Sequence, residues 1–165
     1  MKVGIVGAGS VGAATAFALM MRGVARKITL VDINKERAWA EATDIAHAAP
    51  FAYANKVKSG DYDDLCGCEV VVITAGANQK PGETRTDLLE HNVKIFAKII
   101  PNIVANAPTS TLLVATNPVD VMTEVALKLS GFPKERVIGS GTTLDTARLR
   151  YLISEETKIK FNLCM

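Results

Sequence analysis

A chain of 165 residues that is 48% hydrophobic has enough apolar mass to bury one full domain core, which sets aside a disordered chain. Nineteen basic and seventeen acidic residues leave a net charge of +2 spread along the sequence, so no basic face marks it as a nucleic-acid binder. No apolar run reaches membrane-spanning length, and Met1-Lys2 leads into a short strand pattern without a signal-peptide cleavage site, so the expected setting is the cytoplasm, with no membrane partner.

Strand-length apolar runs alternate with stretches of helical period, the pattern of an α/β fold whose doubly wound parallel sheet carries helices on both faces. Strands are expected near residues 2–6, 27–31, 56–59, 69–73, 111–115 and 136–138. The first helix should run from Val11 to Met21, with Ala13, Ala14, Ala16 and Ala18 letting it lie close to the sheet and Gly23 ending it. Asn34 is placed to cap a second helix over Lys35 to His47, in which Trp39 reads as a packing residue. Cys66 and Cys68 precede a strand in a Cys-x-Cys spacing with no histidine near, which does not match zinc sites; with Cys164 they read as reduced thiols, and no metal is expected. From Arg85 to about Ala107 the helical period continues through Pro101, whose missing backbone donor should kink or divide the helix. Asp120 to Ser130, stopped by Gly131 and Pro133, and Thr143 to Glu156 complete the helices.

The chemistry begins at Gly7-Ala8-Gly9-Ser10-Val11-Gly12, which sits between the first strand and the first helix, with Asp32 closing the second strand twenty residues later. Gly7 allows the tight turn, Gly9 lets backbone approach a pyrophosphate, and Gly12 lets the helix pack on the sheet. The phosphates then meet the unpaired amides and positive dipole end of a helix N-terminus. A strand-tip carboxylate accepts hydrogen bonds from both ribose hydroxyls and repels a 2'-phosphate, so Asp32 points to NAD over NADP.

Three later segments carry polar residues at strand ends or helix starts: Thr74 to Arg85, Ala115-Thr116-Asn117-Pro118-Val119-Asp120, and Asp145-Thr146-Ala147-Arg148. Gly76, Pro81 and Gly82 bracket a loop with the composition of a closing lid, and Arg85 ends it. A guanidinium brought in by closure polarises a ketone oxygen, while the planar fork of Arg148 suits a carboxylate. Taken singly, each has a plainer reading: Arg85 as a surface arginine, Asp145 and Arg148 as a helical ion pair, Asn117-Pro118 as a turn.

Together with the glycine loop, these segments resemble the NAD-dependent L-lactate dehydrogenases of the lactate/malate dehydrogenase family, bacterial members in particular, up to about Arg150. The resemblance implies a Rossmann NAD-binding domain over residues 1–141, with residues 142–165 the start of a truncated catalytic domain. It implies hydride transfer between NADH and pyruvate, an oxidoreductase of glycolysis and pyruvate fermentation, with lactate as the other partner. Cofactor contacts are then expected at Gly7, Gly9, Val11, Gly12, Asp32, Arg37, Tyr62, Gly76, Ala77, Lys98, Ala115, Asn117 and Ser140. Substrate contacts are expected at Gln79, Arg85, Asn117, Asp120 and Arg148. The resemblance further implies that Arg85 is the catalytic polarising group, that Asp145 supports a catalytic histidine, and that the Asn117-Pro118 bond is cis. Neutral Gln79 leaves the second carboxylate of oxaloacetate without a partner, which favours a methyl-bearing keto acid and opposes malate dehydrogenase, though not a branched 2-hydroxyacid dehydrogenase. Arg150 matches a position that helps bind fructose 1,6-bisphosphate in allosteric relatives, or is a solvated helix residue.

Relatives continue into a second domain whose Gly-Glu-His-Gly segment supplies the general acid and base, and full-length relatives are homo-oligomers, tetramers. This sequence stops at Met165, and residues 158–165 no longer resemble the family. Its histidines, His47 and His91, fall on helices outside the substrate segments. The expectation is a nucleotide-binding fragment without turnover, since ketone reduction requires a proton donor. Two other classes compete: a non-catalytic NAD-binding module, and a methyltransferase with a similar glycine loop, in which Arg85 and the Asp145/Arg148 pair would have no task.

Overall fold

The computed structural model describes residues 1–52, 56–77, 82 and 84–158, and the Arg85 side chain is outside that description. The chain runs β1 (Lys2–Val6), α1 (Ser10–Met21), β2 (Lys27–Val31), α2 (Lys35–Ala46), β3 (Lys56–Ser59), β4 (Val70–Ile73), α3 (Arg85–Asn106), β5 (Thr111–Val114), α4 (Val119–Ser130), β6 (Val137–Gly139) and α5 (Thr143–Thr157). All pairings are parallel, in the order β3-β2-β1-β4-β5-β6. The order reverses direction between β1 and β4, which opens a crevice beyond the strand tips where their loops diverge to opposite faces.

Successive strand residues point to opposite faces, and where both faces are covered, in β1, β2, β4 and β5, the strands are largely apolar, whereas β3 at the sheet edge (Lys56–Ser59) buries only Val57. Val71, Ile73, Leu112 and Val114 face Phe96, Ile100 and Ile103 of α3 and Met122 and Ala126 of α4. Val3, Ile5, Ile28, Leu30 and Val72 face the other way, against Ala16 and Met20 of α1 and Ala38, Ala42 and Ile45 of α2. In α1 only part of the alanine run points inward: Gly12 and Ala16 are buried and Ala13 is partly covered, while Ala14 and Ala18 face solvent.

Two local expectations are corrected, that Pro101 divides its helix and that Trp39 is covered by packing. Pro101 lies inside α3, yet the helix is one undivided element of 22 residues. Phe96, Ile99, Ile100 and Ile103 lock both halves into one core cluster, and Asn102 Nδ2 donates to the Lys98 carbonyl at 2.7 Å, beside the carbonyl that Pro101 leaves without a donor. Trp39 is no core residue: it is 64% exposed and lines a surface hollow of about 270 Å³ with Ala42, His47 and Val57. Caps follow the sequence more closely, since Asn34 Oδ1 accepts from the Arg37 amide at 2.9 Å and Gly131 ends α4 at φ +64°. Cys66 is exposed and Cys68 buried, both as free thiols, and burial pushes the Cys68 thiol up; Cys164 lies outside the described residues. No described helix is long and apolar enough to cross a membrane.

Candidate nucleotide and substrate site

The site is built at the carboxyl ends of β1, β2, β4 and β5. At Gly7 the chain turns at φ +109°, and the Gly7 amide donates to the Val31 carbonyl at 2.8 Å, which ties the turn to the neighbouring strand. Gly12 is the packing residue: a Cβ there would overlap the Gly7 carbonyl oxygen and lie 2.9 Å from Thr74 Oγ1. A Cβ on Gly9 would meet nothing within 4 Å, so at that point bare backbone borders open space. This is the cradle that a pyrophosphate requires: a turn held from behind, an open front and the start of α1 beyond it.

Asp32 stands beside this turn. Its Oδ2 accepts from the Ala8 amide at 2.6 Å and its Oδ1 from the Asn34 amide at 2.8 Å, so the carboxylate is fixed across the mouth of the loop. Each oxygen keeps acceptor capacity for a ribose hydroxyl. Tyr62 is half-buried nearby; burial first, and then the charge of Asp32, holds its hydroxyl above the usual tyrosine range. Val11 at the loop rim is 59% exposed, and Arg37 is exposed in the first turn of α2. The sequence reading missed Ile33, which is fully exposed beside Asp32. Its signal was present: an apolar residue follows the strand-end acid where neither strand nor helix period asks for one.

Gly76 and Ala77 follow β4, and Ala115 to Asn117 follow β5. The Ala115 amide donates to the Ile73 carbonyl at 2.9 Å, the Thr116 hydroxyl donates to the Ala75 carbonyl at 2.8 Å, and Thr74 Oγ1 donates to the Gly7 carbonyl at 2.7 Å. The three tips are thus stitched together. The Asn117-Pro118 bond is cis, as expected. Asp120 is exposed in the first turn of α4, and Ser140 follows β6 with its amide on the Val114 carbonyl at 2.8 Å. Lys98 is exposed on α3.

Gln79 lies outside the described residues. Arg85 begins α3 after the Thr84 cap, whose hydroxyl accepts from the Asp87 amide at 3.2 Å while Asp87 Oδ2 accepts from the Thr84 amide at 3.1 Å. The Thr84 hydroxyl also donates to Asp87 Oδ2 at 2.6 Å, and that bond first, then the one from the Thr84 amide, holds the Asp87 carboxyl below its usual range. Asp145 and Arg148 share one face of α5 and pair at 3.2 Å, with side chains 69% and 66% exposed. At that exposure the pair adds little stability, and both groups stay accessible to a ligand. Arg150 is exposed on the same helix, along with Leu144, Leu149 and Leu152. His47 caps the far end of α2 and His91 is exposed on α3. Among the described residues no group of three or more His, Cys, Asp or Glu side chains could hold a metal ion.

Residues 1–139 match the family profile of the lactate/malate dehydrogenase NAD binding domain. The L-lactate dehydrogenase of Thermus aquaticus is 57% identical over 155 residues, covering 94% of this chain and 50% of the relative; that of Clostridium perfringens is 56% identical over 158 residues, covering 96% and 50%. Among solved structures, MGS-M5, a lactate dehydrogenase enzyme from a Medee basin deep-sea metagenome library, superposes with TM-score 0.91 at 48% identity, and the minor L-lactate dehydrogenase of Enterococcus mundtii with TM-score 0.92 at 41%. Each superposition covers 96% of this chain and 51% of the other, so the chain spans about half the length of the relatives it matches.

Proposed function

The chain belongs to the lactate/malate dehydrogenase family, carrying its NAD-binding domain, and from that premise we propose that it serves an L-lactate dehydrogenase that interconverts pyruvate and lactate. The observation that carries the proposal is the Asp32 carboxylate fixed on the Ala8 amide inside the glycine turn, the arrangement that selects a dinucleotide with a free ribose diol. When bound, the nicotinamide supplies or accepts the hydride. Gly7, Gly9, Val11 and Gly12 hold the pyrophosphate, Asp32 the ribose, with Ile33 and Arg37 at its border, and Tyr62, Gly76, Ala77, Ala115, Asn117 and Ser140 complete the contacts.

On the substrate side, Arg148 holds the keto-acid carboxylate in two-point fashion and Asn117 and Asp120 border it. Arg85 polarises the ketone oxygen and stabilises the negative charge that grows there. Asp145 orients the proton donor. His47 and His91 fall outside the segments that carry Asn117, Asp120 and Arg148 in the sequence, so we assign the donor to the remainder of the enzyme, and residues 142–165 to the start of the domain that contributes it. Gln79, being neutral, favours a methyl-bearing keto acid. In this reading the enzyme is a cytoplasmic homo-oligomer, and these 165 residues alone bind NADH without turnover.

The test has two arms. The 165-residue protein should bind NADH in a calorimetric titration and show no pyruvate-dependent NADH oxidation. In the full-length enzyme, Gln79→Arg should shift the preference from pyruvate toward oxaloacetate. Absence of NADH binding, turnover by the 165 residues alone, or an unchanged substrate ratio would each contradict its part of the proposal.

A further inference from the structure

Asn92 is 1% exposed in the second turn of α3, and it is one of five buried polar side chains among the described residues. Its amide is used in two directions. Oδ1 accepts from the Ala77 amide at 2.8 Å, and Nδ2 donates to the Asn117 carbonyl at 2.8 Å. One side chain thus ties three segments: the loop after β4, the loop after β5, and the helix that begins at Arg85. The junction is tight on its loop side as well, because a Cβ on Gly76 would lie 2.7 Å from Thr116 Cγ2 and 3.3 Å from Asn92 Oδ1.

A buried amide that spends both ends on backbone could simply be satisfying two polar groups left over by loop geometry. Its position argues for more. Both backbone partners belong to residues assigned to the cofactor, and Asn117 also to the substrate. Sheet order puts the tip of β5 three strands from the tip of β2, about 14 Å away at the usual strand spacing. Asp32 and the glycine turn therefore hold the half of a dinucleotide nearer β2, while the Asn92 junction faces the half nearer β5.

We infer that Asn92 is a positioning residue for the reacting half of the cofactor, setting the Ala77 amide, the Asn117 backbone and the start of α3 in one fixed relation. The inference rests on the dinucleotide reading above. It separates two ligand classes: a mononucleotide such as AMP fills only the half beside Asp32, whereas NADH needs both halves. A local fault at Asn92 therefore touches one ligand and spares the other.

Asn92→Asp keeps the shape and the acceptor facing Ala77, but replaces the donor facing the Asn117 carbonyl with a carboxylate oxygen. In the 165-residue protein this variant should weaken NADH binding about tenfold and change AMP binding by less than twofold. Unchanged NADH affinity, or equal loss for both ligands, overturns the inference, the latter because it marks a purely structural role. If the unsubstituted protein binds neither ligand, the dinucleotide reading itself has failed. Should the variant not fold, amide exchange in the unsubstituted protein decides: Ala77 N–H should gain protection with NADH and not with AMP, and equal protection by both overturns the inference.

Discussion

Gly9→Ala and Gly12→Ala add the same methyl group three residues apart and should have opposite consequences. At Gly12 the new Cβ would stand more than an ångström inside the closest approach that real Cβ atoms show, and the obstacle is the backbone carbonyl of Gly7, which cannot rotate away. Either α1 retreats from the sheet or the turn opens. Overpacking of this kind costs about 1–3 kcal/mol. For a domain of this size that lowers the melting temperature by about 2–12 °C. The same displacement takes at least one amide off a phosphate oxygen, and a charge-assisted bond of about 1.5–3 kcal/mol corresponds to a loss of about tenfold or more in NADH affinity. At Gly9 there is no protein atom within 4 Å to meet the methyl, so melting should move by less than about 2 °C. The methyl instead occupies the space through which the pyrophosphate approaches, and NADH affinity should again fall about tenfold or more. Thermal melting by circular dichroism and NADH titration of both variants check the split. A Gly12→Ala protein that melts with the parent, or a Gly9→Ala protein that binds NADH like the parent, would refute the reasoning.

Two further outcomes follow from the electrostatics. Asp32→Asn removes the charge that repels a 2'-phosphate, and replaces one acceptor with a donor where the Ala8 and Asn34 amides both need acceptors; NADH affinity should fall at least about tenfold and the preference over NADPH should narrow. Parallel titrations with both nucleotides measure it. Asp64 is held below the usual carboxylate range, first by the hydrogen bond from Lys58 and then by the Asp61 amide and the charges of Lys58 and Lys2. A carboxyl depressed by folding contributes stability that is present above its unfolded value of about 3.9 and is lost as pH falls through its folded value. Melting curves should therefore drop more steeply with acidification below about pH 4 for the parent than for Asp64→Asn. Parallel curves would contradict the assignment. The effect should be small, because a third of the Asp64 side chain is in water.

The sheet was legible because its central strands are covered on both faces and leave continuous apolar runs such as Val70–Ile73 and Leu112–Val114 between turn-forming residues. The glycine turn and Asp32 were legible because that site is local in sequence, within one strand-helix-strand unit. Pro101 does not divide α3 because the rule for proline in a helix concerns one lost bond and a clash, while Phe96, Ile99, Ile100 and Ile103 pack into the core on both sides of it. Trp39 misled for the opposite reason: a large aromatic residue is usually covered, but this one is 64% exposed at the hollow it lines with Ala42 and Val57, beside the core instead of in it. Asn92 could not be read at all. Nothing local marks an asparagine in the second turn of a helix, and its meaning comes from Ala77 and Asn117, fifteen and twenty-five residues away. The Asp145 and Arg148 pair was visible as helical spacing, though spacing alone does not say what the pair binds.

The account depends most on where NADH lies. Backbone amide spectra of the 165-residue protein, recorded during an NADH titration, test this directly. The prediction is saturable shifts at residues 7–12, at Asp32 and Ile33, and at Gly76, Ala77 and residues 115–117, with the hollow around Trp39 left unmoved. Shifts centred on that hollow instead, or no saturable shift at the glycine turn, would contradict it.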